Sequence, residues 1–142
     1  MGKKTLIIGT IGSDAHVIGA YIIAYALREA GFNVIHLGAM VPQEEFIDAA
    51  VETKADAILV SSLYGMGVLD CEGFREKCDE RGLKGILLYA GGMLTATEWP
   101  WEEVVRRFKE LRFDRVYPPG TLPETFISDL NQGLKQKEAR AM

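Results

Sequence analysis

A chain of 142 residues and 15.7 kDa is the size of one domain with one substantial core. With 48% hydrophobic and 25% charged residues it has the balance of a folded globular protein, which excludes a disordered or low-complexity chain. A net charge of −4 and a pI near 5.2, with no lysine and arginine cluster interleaved with aromatics, argue against nucleic acid as a partner.

Met1-Gly2-Lys3-Lys4 leads into a short apolar run that turns polar before any small-residue cleavage site, so no signal peptide is expected. The longest apolar stretch, residues 17–27, carries a glycine and two tyrosines and is too short to span a bilayer. It reads as a buried helix, and a cytoplasmic protein without a membrane partner is the expectation. β-rich runs at residues 4–9, 33–37, 57–61, 85–90 and 115–117 alternate with helical stretches at 16–30, 43–54, 69–81, 101–111 and 124–135. The strands are nearly continuous apolar runs, as required when both faces of a parallel sheet are covered. Gly31, Gly82 and Gly133 fall near predicted helix ends, and Pro100 is placed to start a helix with Glu102 and Glu103 in its first turn. The reading is a doubly wound α/β domain, a five-stranded parallel sheet of flavodoxin-like order 2-1-3-4-5, over residues 1–137, with 138–142 a fraying tail.

Tyr21, Tyr25, Phe46, Phe74 and Phe108 fall on predicted helices and read as core or helix-sheet packing. Cys71 and Cys78 share one predicted helix, roughly 10 Å apart between Cα atoms, beyond disulfide reach. Neither has zinc-site spacing to a second thiol or a histidine, so they read as reduced thiols.

In this fold ligands bind outside the carboxyl ends of the strands, where strand order reverses, here between the first and third strands. The loop after the first strand reads Gly12-Ser13-Asp14-Ala15-His16-Val17-Ile18-Gly19. A metal-bound imidazole usually donates its second N–H to a carboxylate, and Asp14 is placed to serve His16. Gly19, one turn along, clears the helix face that His16 shares. Taken singly, Asp14 reads as a helix cap, His16 as a solvated side chain and Gly19 as a packing residue; the combination Asp-x-His-x-x-Gly shifts the balance. Ser61-Ser62-Leu63 follows the third strand, Gly91-Gly92 the fourth and Pro118-Pro119-Gly120-Thr121 the fifth, completing a row of loops along one edge. Ser61, Gly91 and Gly92 would let a long ligand lie against backbone, with the Ser61 hydroxyl free to bond a heterocyclic nitrogen. Helix ends, tight turns and strand ends explain the same residues more simply if no ligand is bound. His36, the other histidine, lies away from the switch point and reads as locally packed or hydrogen-bonded.

The Asp14-x-His16-x-x-Gly19, Ser61-Ser62-Leu63 and Gly91-Gly92 elements resemble the signature of cobalamin-binding domains of the base-off, histidine-on type. The likeness extends through Glu52-Thr53-Lys54-Ala55-Asp56, Arg75-Glu76-Lys77-Cys78-Asp79-Glu80 and Phe113-Asp114-Arg115-Val116-Tyr117-Pro118 to the small subunits of glutamate mutase (methylaspartate mutase). It covers nearly the whole chain. The resemblance implies adenosylcobalamin as cofactor, His16 as lower cobalt ligand in place of dimethylbenzimidazole, and a nucleotide tail threaded into the domain. The cofactor-binding residues it implies are Ser13, Asp14, Ala15, His16, Val17, Gly19, Ser61, Ser62, Leu63, Gly91, Gly92, Gly120 and Thr121. After Gly92 the chain departs from the family pattern, where an asparagine and a Val-Val-Gly-Lys-type run gives way to Met93-Leu94-Thr95-Ala96-Thr97. Tail contacts from those five residues carry over by position.

Radical carbon-skeleton chemistry needs a cavity closed to solvent, usually housed in a barrel of about 250 residues, and this chain has no room for one. The resemblance therefore implies the cofactor-carrying subunit of a two-component mutase, inactive alone and without catalytic side chains of its own. A larger barrel-type subunit would supply the substrate site for interconverting L-glutamate and threo-3-methylaspartate. Three other readings are a small subunit of an acyl-CoA mutase, a corrinoid methyl carrier, and a flavodoxin-like module for another ligand. A methyl carrier usually has a helical cap before the first strand, whereas here the strand begins near residue 4. The first turn of the helix after His16, with Val17, Ile18 and Gly19, is expected to be loose until a ligand orders it.

Overall fold

In the computed structural model, which describes residues 3–11, 18–62, 67–92, 100–118 and 120–141, the apolar runs become β1 Thr5–Thr10, β2 Asn33–His36, β3 Ala57–Ser62, β4 Leu87–Gly92 and β5 Arg115–Val116. All pair in parallel, in the order β2-β1-β3-β4-β5 expected from the sequence. The connecting helices are α1 Ile18–Glu29, α2 Gln43–Thr53, α3 Gly67–Asp70, α4 Phe74–Glu80, α5 Trp101–Glu110 and α6 Pro123–Ala141.

Because side chains alternate along a strand, each strand feeds two cores. Ile7, Ile58, Val60 and Leu88 pack against Phe46 and Ile47 of α2, Phe74 and Cys78 of α4, and Phe108 of α5. Leu6, Ile8, Leu59 and Tyr89 pack against Ala20, Ala24 and Leu27 of α1 and Phe126, Leu130 and Leu134 of α6. The sheet is thus covered by α1 and α6 on one side and by α2, α4 and α5 on the other. Among the described residues no helix is long and apolar enough to cross a membrane.

Several expectations are corrected. Residues 69–81 do not form one helix, because Gly73 takes φ +77° between α3 and α4. Cys71 therefore sits in the turn before the helix that carries Cys78, and both thiols are buried. Burial pushes the Cys71 thiol far up, and that of Cys78 to about 11. The segment 17–27 is not wholly buried. Ala20, Ala24 and Leu27 are, but Tyr21 and Tyr25 lie on the outer face of α1 and are 54% and 66% exposed. Gly133 ends no helix: α6 runs on to Ala141, so residues 138–141 of the expected tail are helical. Glu138 pairs with Lys4, and the Lys137 ammonium donates to the Asp56 carbonyl at 3.4 Å, tying that segment to the amino end of the sheet.

A second tie at that end is Arg75, 8% exposed. Its guanidinium donates to the Ile86 carbonyl at 2.8 Å, the Arg112 carbonyl at 3.0 Å and the Asp114 carboxylate at 3.0 Å. The same carboxylate accepts the Leu88 N–H at 2.9 Å, so one side chain joins α4, the start of β4 and the turn before β5. Arg75→Met keeps much of the stem's packing and leaves those acceptors unmatched. A loss of about 2–4 kcal/mol in urea unfolding is expected.

Candidate functional site

The carboxyl ends of β1, β3 and β4 are in register: Thr10 opposes Ser61, Ser61 opposes Gly91, and Ser62 opposes Gly92. Alternation then sorts the serines. Ser61 follows Leu59 onto the α1 and α6 side, whereas Ser62 follows Val60 onto the other and is fully buried. Gly91 and Gly92 do not follow the fourth strand as expected but are its last two residues.

On the α1 and α6 side a cavity of about 290 Å³ opens at these strand ends. Its described lining includes Ile8, Leu59, Ser61, Tyr89 and Gly91 from the sheet, Ile22 and Ile23 from α1, and Phe126 from α6. Gly120 and Thr121 from the turn before α6, and Pro123 at the start of that helix, close it. The two glycines of β4 serve different ends. A Cβ on Gly91 would stand in ordinary contact, 3.7 Å from the Tyr117 Cβ and 3.8 Å from the Phe126 ring, so its absence leaves space on the cavity side. A Cβ on Gly92, at φ +92°, would come within 2.2 Å of the Ser62 carbonyl oxygen.

The floor is set from α6. At Gly133 the helix approaches so closely that a Cβ would lie 2.6 Å from the Tyr89 hydroxyl. That hydroxyl donates to the Asp129 carbonyl at 3.1 Å, and Tyr117 donates to the Asp129 carboxylate at 2.8 Å. Burial pushes the Tyr89 phenol up, so it stays a neutral donor. Among the described lining residues there is no Asp, Glu, Lys, Arg or His. Thr121 spends its hydroxyl proton on the Pro118 carbonyl at 2.7 Å. Such a wall has the character of a pocket for a largely apolar group.

The sequence-derived residues therefore divide. Ser61, Gly91, Gly92, Gly120 and Thr121 line one cavity; Ser62 points to the opposite core, and Gly19 lies in the first turn of α1. Ser13, Asp14, Ala15, His16, Val17, Leu63 and Met93 through Thr97 lie outside the described residues, as does most of the helix start expected to be loose. The residue at the opening of that loop, Ile11, is held by a hydrogen bond from its N–H to the Ser61 carbonyl at 3.0 Å and by a bridge to Val41. His36 packs edge-on to Tyr21, with ring centroids 4.4 Å apart, and its Nε2 is buried without a hydrogen-bond partner. Burial, and then the Arg28 charge, lower its pKa.

A family model described as B12 binding domain matches residues 4–110. Over 137 residues the chain is 56% identical to the glutamate mutase sigma subunit of Clostridium tetani, covering 96% of this chain and 100% of that one. It belongs to the glutamate mutase sigma subunit family. The sigma subunit of Clostridium cochlearium is also 56% identical, over 94% of this chain and 98% of its own. Among solved structures, a cobalamin-binding protein from Desulfitobacterium hafniense shares the fold at TM-score 0.75 and 19% identity. It matches 92% of this chain, which spans 59% of that one.

Ile22, Ile23 and Phe126 line the cavity without any mark in the sequence of this sigma subunit family member. They are ordinary members of apolar helix stripes, and only the packing of α1 and α6 over the strand ends turns them toward a cavity. Thr10 is not among the lining residues but stands opposite Ser61, which is. The signal for Thr10 was present in the alternation Leu6, Ile8, Thr10, which puts its side chain on the cavity side of β1.

Proposed function

We propose that this chain is the cobalamin-carrying subunit of a two-component glutamate mutase, an isomerase whose substrate site belongs to a partner subunit. The observation that carries the reading is the cavity itself. It sits at the switch point of the sheet, between α1 and α6, with a wall of small and apolar residues and one serine near the strand ends. These residues fit the nucleotide tail of a cobalamin. Its benzimidazole would lie among Ile8, Leu59 and Phe126, and the Ser61 hydroxyl would donate to the ring nitrogen that no longer binds cobalt. At about 290 Å³ the space takes the end of a ligand rather than a whole corrinoid.

His16 would be the lower cobalt ligand, with Asp14 accepting its other N–H to fix the tautomer and raise basicity. Ser13, Ala15, Val17 and Gly19 would border the corrin's lower face, and Leu63 with Met93 through Thr97 would close over the tail. Adenosylcobalamin, when bound, supplies the radical chemistry of carbon-skeleton rearrangement. The chain's own residues hold and orient it, and exclude water from its lower face. The partner would be a larger barrel-type subunit that covers the upper face and binds the amino acid, in a cytoplasmic heterotetramer.

The test is the electron paramagnetic resonance spectrum of Co(II) cobalamin bound to the protein, with natural-abundance and with ¹⁵N-histidine-labelled samples. Labelling should change the superhyperfine pattern. His16→Ala should abolish that change, and His36→Ala should leave it intact. A pattern indifferent to labelling, with binding retained, would show that no histidine of this chain is the ligand.

A further inference from the structure

On the α1 and α6 side of the sheet, beside the cavity, the Thr10 hydroxyl is a polar group that the described residues leave without a partner. Thr10 ends β1 with its side chain on the side of Leu6 and Ile8, two residues beyond Ile8, which lines the cavity, and directly opposite Ser61, which lines it too; Thr10 itself lies behind that lining. Its backbone is fully engaged: the N–H donates to the Gly38 carbonyl at 2.9 Å, and the C=O accepts from Val41 at 2.9 Å. Its hydroxyl is not engaged. Thr10 is 0% exposed, and Oγ1 is buried without a hydrogen-bond partner.

A buried hydroxyl with no partner costs stability relative to a satisfied one, and a valine would fill the same space in a β-strand without that cost. Strand propensity and packing therefore favour valine at a position where threonine stands. Buried unsatisfied groups in native proteins call for an explanation, and a ligand that arrives later is one of the few available. Within the sheet, the row Thr10, Ser61, Gly91 supplies two hydroxyls and a gap at one level. Of the polar side chains that line the cavity with Ser61, Tyr89 is committed to Asp129 and Thr121 to Pro118.

We infer that Thr10 is a further contact for the nucleotide tail, its hydroxyl bonding a polar atom of the ligand beside the one that Ser61 serves. This rests on the cobalamin-carrying reading above. The orphaned hydroxyl then costs the free protein stability that is recovered on binding, so its removal has opposite effects on the two states.

The experiment uses the full chain as wild type, Thr10→Val and Thr10→Ser, with adenosylcobalamin and with cobinamide, which has the corrin but no nucleotide. Affinities come from calorimetric titration and thermal midpoints from the ligand-free protein. Thr10→Val should bind adenosylcobalamin on the order of tenfold more weakly, while its ligand-free midpoint rises by about 3–5 °C. Thr10→Ser should keep most of the affinity, and cobinamide should bind wild type and Thr10→Val alike. Equal adenosylcobalamin affinity for wild type and Thr10→Val overturns the inference and leaves the carrier reading standing. So does a lower ligand-free midpoint for Thr10→Val, because the hydroxyl would then have a partner inside the protein. An equal loss for cobinamide overturns the assignment to the tail. If wild type binds no adenosylcobalamin, the carrier reading fails and the inference falls with it.

Discussion

Gly92→Ala should remove most of the stability of the fold. The new Cβ would stand 2.2 Å from the Ser62 carbonyl oxygen and 3.1 Å from its carbon, and φ +92° is a conformation that alanine strongly disfavours. Backbone on both sides is fixed by the β3 and β4 pairing, in which Ser62 and Gly92 are partners, so neither strand can yield without losing its neighbour's hydrogen bonds. A loss of about 4 kcal/mol or more is expected, against the 5–15 kcal/mol that small domains have in total. Urea unfolding followed by circular dichroism measures it. A midpoint within error of wild type would show that the end of β4 relaxes more readily than its packing against Ser62 indicates.

Gly91, the preceding residue, should behave in the opposite way. Its Cβ position has ordinary contacts with Tyr117 and Phe126, and its φ lies outside the left-handed region, so Gly91→Ala should change stability by less than about 1 kcal/mol. A longer side chain must extend toward the cavity that Gly91 lines. Gly91→Leu should therefore weaken adenosylcobalamin binding by about 100-fold or more, because a group sized for the tail cannot share the space, while circular dichroism and the unfolding midpoint stay near those of Gly91→Ala. Cobinamide, without the tail, should lose far less. A Gly91→Leu variant that binds adenosylcobalamin like wild type would remove the tail from this cavity.

The neighbouring glycines show how far the sequence alone could be read. That Gly91-Gly92 matters at the carboxyl edge was legible from its place after an apolar run. Its two separate jobs were not, because they depend on which residue of β3 lies opposite. The strand was expected to stop at residue 90, since glycine is a weak strand former; the pairing with Ser61 and Ser62 carries β4 two residues further. The break at Gly73 was missed for a related reason. One residue with positive φ interrupts a helix without disturbing the apolar spacing that marks it. Gly133 was assigned to a helix end because that is where glycine is common. Here it lies inside α6, where the close approach to Tyr89 excludes a side chain.

Local chemistry was the part that the order of residues determined by itself. Apolar runs separated by helical stretches specify five βα units, and the topology available to them brings the carboxyl ends of β1 and β3 side by side. The motif Asp14-x-His16-x-x-Gly19 is written within a few residues of the chain, and membership of the sigma subunit family rests on identity along its length. Tertiary structure alone decided what depends on register and on packing between distant elements. Ser61 faces the cavity and Ser62 the opposite core because successive side chains alternate across the sheet. Ile22 and Phe126 become walls of one cavity because α1 and α6, a hundred residues apart in the chain, cover the same face. Thr10 is left with a buried hydroxyl and no partner because its backbone is held between β2 and β3, and no described neighbour reaches Oγ1.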